Sequence, residues 1–119
     1  MGNYAEFVRF RQEMNKKILE QGNLDIKRFF ALDEKTYQEG SLSKKVKELM
    51  GLSASMVLRC DDCIAYHIIQ ARAAGASRDE LFETFSISLL AGGSIVIPHL
   101  RRAVALMEEL EKSEDVSRE

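Results

Sequence analysis

Proline occurs once in the chain, at Pro98, cysteine only twice, at Cys60 and Cys63, and histidine only twice, at His67 and His99. The near absence of proline, with few clusters of β-branched residues, argues against a turn-rich β protein; apolar residues recur at spacings of three and four, the helical period. Two cysteines in 119 residues are too few for a disulfide-stapled scaffold, and a chain of this size builds a sufficient core without covalent or metal support. An excess of basic charge is also missing: the formal net charge is -2 and the pI about 5.8, so no nucleic-acid partner is expected. The longest nearly apolar run, LLAGGSIVIP (89–98), is too short and too interrupted by glycine to span a bilayer. The N-terminal MGNYAEFVRFRQEMNKK has neither the apolar core of a secretory signal nor a Ser or Thr at position 6 for myristoylation. No membrane association is expected, and the default compartment is a reducing cytoplasm, where a CxxC pair is more often redox-active or metal-binding than structural.

The expected architecture is an all-α bundle of about six helices in one domain, 1–119. Within it, 1–40 reads as an N-terminal helical extension, 41–112 as the core and 113–119, SEDVSRE, as a fraying tail. A first helix is predicted over about Tyr4 to Glu20, ended by Gly22 and Asn23; a short one is predicted around Ile26 to Leu32, followed by an irregular approach to Gly40. Ser43 reads as the N-cap of a long helix that ends near Cys60 and carries Val46, Leu49, Met50, Ser53, Met56 and Val57 on its apolar side. Residues 62–74 follow, with Ile64, Ile68 and Ala71 apolar and Gly75 as C-cap. SRDE, 77–80, is a capping box, Gly92-Gly93 is a break, and a last helix runs from near Ser94 to about Lys112 with Pro98 in its first turn or at a kink. Residues 81–100 hold more apolar side chains than one small core uses, including Phe82, Ile87, Leu90 and Ile95, and a homo-oligomer would bury the surplus.

The chemistry sits in RCDDCIAYH, 59–67. On a helix Cys60, Cys63 and His67 share a face, with the imidazole one turn from Cys63 and in position to take its proton. If the helix begins at Cys60 or Asp61, its N-terminal N–H groups also favour a thiolate. A second cysteine three residues away can resolve a sulfenic acid or a mixed disulfide. Two alternatives stand beside this one. The cysteines can be buried filler, or Cys60, Cys63, His67 and His99 can form a Cys2His2 zinc set, although 35 residues separate Cys63 from His99 with no second close pair. Asp61 and Asp62 read first as helix caps; as carboxylates beside thiols they are also possible modulators, opposing thiolate formation or moving a proton, and Arg59 partly offsets them. Tyr66 reads as packing and His99 as a hydrogen-bonded, partly buried residue near an interface.

KELMGLSASMVLRCDDCIAYHIIQARAAGAS resembles the alkylhydroperoxidase D-like (AhpD-like) and carboxymuconolactone decarboxylase-like superfamily. Its redox members carry a Glu, eleven residues, CxxC, three residues and a His; Glu48, Cys60, Cys63 and His67 match that spacing throughout. The likeness covers roughly 40–110, through AGAS-RDEL and the paired glycines. It implies an AhpD-like helical fold assembling as a trimer or hexamer, a Glu48–His67 proton relay, usually through water in the family, and a Cys60–Cys63 redox pair, with no cofactor or metal. One departure stands out: the position of Asp62 is a His in well-studied members. The resemblance also carries a geometric demand. On one straight helix Glu48 would lie roughly 18 Å along the axis from Cys60, so the chain must turn sharply near 59–61, or the carboxylate must come from another chain.

Four functions are compatible with these residues. The first is a thiol-dependent peroxidase acting on a hydroperoxide and regenerated by an external dithiol reductant. The second is a disulfide reductase serving a partner peroxiredoxin. The third is lactone decarboxylation, which the superfamily name suggests but which uses no CxxC pair. The last is a non-catalytic helical assembly with incidental thiols.

Overall fold

The computed structural model describes the backbone of residues 3–118 and the side chains of residues 4–114; Met1, Gly2 and Glu119 lie outside that range. It is all-α, with six α-helices and no strand among the described residues. The chain divides into two compact units, Met1–Gln38 and Glu39–Glu119. The first holds α1 (Asn3–Gln21) and α2 (Leu24–Thr36). Asn23 caps α2 by accepting the Ile26 N–H at 3.0 Å. This helix is longer than the sequence suggested: no glycine or proline interrupts residues 24–36, and the Thr36 hydroxyl closes the last turn by donating to the Leu32 carbonyl at 2.7 Å. None of its residues is buried.

The second unit contains α3 (Lys44–Leu58), α4 (Asp61–Ala73), α5 (Arg78–Gly92), a 3₁₀ turn (Ser94–Val96) and α6 (Ile97–Arg118). Helix α3 packs against α4 and α5, and α4 against α6. Their shared core is apolar: Leu52 and Met56 from α3, Ile64, Ile68 and Ala71 from α4, Leu81 and Phe85 from α5, and Ala103, Met107 and Leu110 from α6 are all buried. The predicted apolar side of α4 is therefore the buried side. That of α3 is so only in part: Met56 is buried and Leu49 and Ser53 are half-buried, but Val46, Met50 and Val57 are exposed, and the buried line runs through Glu48, Leu52, Ser55 and Met56. Apolar periodicity alone misses part of this line, because the line holds a carboxylate and a serine.

The helix ends are set locally. Ser43 caps α3 through the Val46 N–H at 3.1 Å. Ser77 and Glu80 form the reciprocal capping box of α5. Lys45 donates to Glu80 at 2.9 Å, and this hydrogen bond, with that from the Ser77 backbone, holds the Glu80 carboxyl below its ordinary range. After α4, Gly75 takes φ +97 just past the cap residue Ala74, while the N–H groups of Gly75 and Ala76 bond back to the carbonyls of Arg72 and Ala71. Gly93, at φ +83, turns the chain from α5 into the 3₁₀ segment. Pro98 falls in the first turn of α6, where its missing N–H costs no hydrogen bond. Helix α6 continues to Arg118 rather than ending at Lys112, and its added turn is tied back to α4 by Glu114, which accepts from Arg72 at 2.7 Å.

The end of α3 departs from the usual choice of residue. Arg59 is left-handed (φ 61, ψ 43), the only non-glycine residue with positive φ among those described. Its N–H bonds to the Met56 carbonyl and the Cys60 N–H to that of Ser55, both at 3.0 Å, the paired closure that glycine normally makes. Relief of the left-handed penalty, set against the larger entropy of an unfolded glycine, gives Arg59→Gly a net stabilisation of roughly 0.5 kcal/mol. Thermal denaturation should register this as a rise of about 2 °C.

Candidate active site

The turn at Arg59 satisfies the demand made by the motif spacing. Helix α3 stops at Leu58, the chain reverses, and α4 starts at Asp61 with Cys60 as its N-cap. The Cys60 Sγ accepts the Cys63 N–H at 3.3 Å. The first cysteine thus closes the end of one helix with its backbone and opens the next with its side chain. Neither Asp61 nor Asp62 is the cap; they occupy the first turn, where negative charge suits the N-terminal end of the helix. Cys60 and Cys63 are joined by a disulfide, with Cα atoms 5.3 Å apart. Cys60 is half-buried and Cys63 exposed.

Because α3 and α4 run back against each other, Glu48 and His67 meet although 19 residues separate them. The Glu48 Oε1 and His67 Nδ1 are 2.9 Å apart, a direct contact. Glu48 has no solvent exposure and His67 only 8%. A carboxylate can only accept, so an ionised Glu48 fixes the proton on Nδ1 and makes Nε2 the basic nitrogen of a neutral ring. The other carboxylate oxygen, Oε2, accepts from Lys44 Nζ at 3.1 Å. Lys44 was not singled out in the sequence, although its spacing of four from Glu48 is the usual one for a helical ion pair. Burying Glu48 between a cation and an imidazole supplies the partners that a buried carboxylate requires. Tyr66, expected only to pack, also stands edge-on to His67 with ring centroids 5.2 Å apart.

On the outer side of the same turn, Asp61 meets α6. Its Oδ1 lies 2.8 Å from His99 Nδ1, and its Oδ2 accepts from Arg102 Nε at 3.0 Å. His99 is accordingly partly buried and hydrogen-bonded. The four residues of the conceivable zinc set do not converge: His67 and His99 direct Nδ1 to different carboxylates, and no metal-holding group of three His, Cys, Asp or Glu occurs among the described residues. Asp62 is exposed, and its side chain makes no hydrogen bond or ion pair among the described residues. No described helix is long and apolar enough to cross a membrane.

The fold and site define an all-α protein with a CxxC disulfide at a helix start, beside a buried acid–imidazole pair. The chain belongs to the carboxymuconolactone decarboxylase family, whose model matches residues 26–106. A solved structure from Thermotoga maritima is similar at 54% identity, with a TM-score of 0.91 over 96% of this chain and 97% of that one; it is described as a member of the same family with a possible part in the antioxidative response. A family member from Legionella pneumophila, at 23% identity and a TM-score of 0.84 over 92% of this chain and 97% of its own, shares the fold. Two uncharacterised proteins are also similar. One, from Paracoccus denitrificans, is 26% identical over 70% of this chain and 75% of its own; the other, from Cupriavidus necator, is 34% identical over 61% and 65%.

Proposed function

We propose that this protein is a thiol-dependent peroxidase of the alkylhydroperoxidase D type. The observation that carries the proposal is the buried Glu48–His67 contact, one helical turn from an exposed cysteine that shares a disulfide with its neighbour. In the reduced protein His67, its ring oriented by Glu48, takes the Cys63 proton. The thiolate attacks the O–O bond of a hydroperoxide, giving a Cys63 sulfenic acid and, after proton transfer to the leaving oxygen, an alcohol or water. The Cys60 thiol then displaces the sulfenic oxygen as water and closes the disulfide, which an external dithiol reopens by exchange. Exposure supports this order: the outward sulfur meets the oxidant, and the half-buried cap resolves it. The base, His67, is buried, whereas Cys63 is exposed.

The exposed sulfur equally suits a second reading, reduction of a partner peroxiredoxin's disulfide. Lactone decarboxylation finds no support in a redox cysteine pair. Leu58, Ile87, Leu90 and Ile95 are 76, 59, 85 and 56% exposed in the single chain, which supports a homo-oligomer; the family resemblance makes it a trimer or hexamer, and the proposed compartment is the reducing cytoplasm. Free thiols of the reduced protein, titrated after one equivalent of hydroperoxide, test the assignment. Loss of two thiols per chain is expected. Thiols that survive peroxide but vanish with an oxidised protein partner would replace the peroxidase by the reductase.

A further inference from the structure

We propose that His99 and Arg102 of α6 act as a charge-compensating brace, which holds the Asp61 carboxylate so that it does not oppose thiolate formation at Cys60 and Cys63. The inference rests on the thiol chemistry proposed above and adds two positioning residues to it. Asp61 stands between the cysteines in the first turn of α4. A bare carboxylate there would raise the thiol pKa by like-charge repulsion against the thiolate. Both its oxygens are instead engaged by α6: Oδ1 by His99 and Oδ2 by the permanently charged guanidinium of Arg102.

The proton positions follow from the chemistry of the partners. An ionised Asp61 cannot donate, so His99 Nδ1 carries the hydrogen of the 2.8 Å contact. The approach of Arg102 Nη2 to that nitrogen at 3.3 Å then brings two donors together, both side chains being drawn to the same carboxylate. Holding α4 to α6 does not require this arrangement. The two helices already share Ile64, Ile68, Ala71, Ala103 and Met107 in the core, and Arg72–Glu114 clasps their opposite ends. The second tie lies at the redox turn, where it brings two basic groups to one acid. The other charged groups of the neighbourhood are Arg59 before Cys60, the unpaired and exposed Asp62 after Asp61, and the Lys44–Glu48–His67 set between α3 and α4.

Thiol pKa in the reduced full-length protein tests the brace without reference to peroxide, from the pH dependence of iodoacetamide alkylation. Arg102→Gln should raise the pKa and slow alkylation at pH 7 by roughly threefold, the scale of one partly screened charge about a turn away. His99→Gln should act in the same direction, and Asp61→Asn should speed alkylation. In the Asp61→Asn background, Arg102→Gln should have little further effect, because an exposed guanidinium without its carboxylate is no longer held at the turn. Unchanged alkylation in Arg102→Gln, or equal slowing with and without Asp61, would overturn the brace; a fall in thermal midpoint with unchanged alkylation would make the contact structural only. Wild-type thiol loss to peroxide is a separate readout, so a brace confirmed in a protein inert to peroxide would remove the peroxidase and leave the brace.

Discussion

Glu48→Gln is expected to lower the second-order rate of peroxide reduction by about 100-fold, the lower range for loss of an oriented general base, while leaving the fold intact. Glutamine keeps the volume of the side chain and can still accept the His67 Nδ1–H. It cannot supply the negative charge that stabilises the imidazolium formed when His67 takes the thiol proton. The histidine becomes a weaker base, the ion pair between imidazolium and thiolate is disfavoured, and the thiol pKa rises. The pH at which the rate reaches half its maximum should therefore move upward. Lys44, one-third exposed, can turn its ammonium to water once its partner is neutral. Stopped-flow kinetics from pH 5 to 9, with thermal denaturation of the same samples, separates the effects: an unaltered rate would remove the relay. Glu48→Ala is a different experiment, since it empties a fully buried site and strips His67 of its orienting partner. A stability loss of roughly 3 kcal/mol is expected there by denaturant titration.

The contrast between Glu48 and Asp61 explains what could be read from the sequence. Glu48 was legible only through the family resemblance, whose motif spacing ties it to Cys60, Cys63 and His67, and the length of an α-helix then demands a reversal near 59–61 or a carboxylate from another chain. The left-handed Arg59 is that reversal. Helix existence was legible wherever a cap or glycine marks an end, as at Ser43, Ser77, Gly75 and Gly93. The phase of α3 was legible only in part, since periodicity counts apolar residues and this helix buries a carboxylate and a serine beside Leu52 and Met56. The contacts of Asp61 were hidden for another reason. His99 and Arg102 lie 38 and 41 residues away on a separate helix, and no local pattern carries a tertiary pairing of that kind. The extent of α2 was underestimated because its charged residues resemble those of a loop, whereas their backbones continue the helix unbroken.

The largest effects should come from the cysteines, and they should differ from each other. Cys63→Ser is expected to lower the reaction with hydroperoxide by at least about 1,000-fold, because a hydroxyl beside His67 does not ionise and is a poor nucleophile toward oxygen. Cys60→Ser should retain the first step. One equivalent of peroxide should be consumed at close to the wild-type rate, after which the protein stops with Cys63 as a sulfenic acid, detectable by mass spectrometry as a dimedone adduct. Its position at the start of α4 makes the second variant informative, since a serine at the N-cap can accept the same backbone N–H that the Cys60 sulfur accepts. The helix start is thereby preserved while the resolving chemistry is removed. If the two variants exchanged behaviours, with Cys60→Ser inert and Cys63→Ser trapping the sulfenic acid, the half-buried cap would be the attacking sulfur. The His67 base would then act on the resolving thiol.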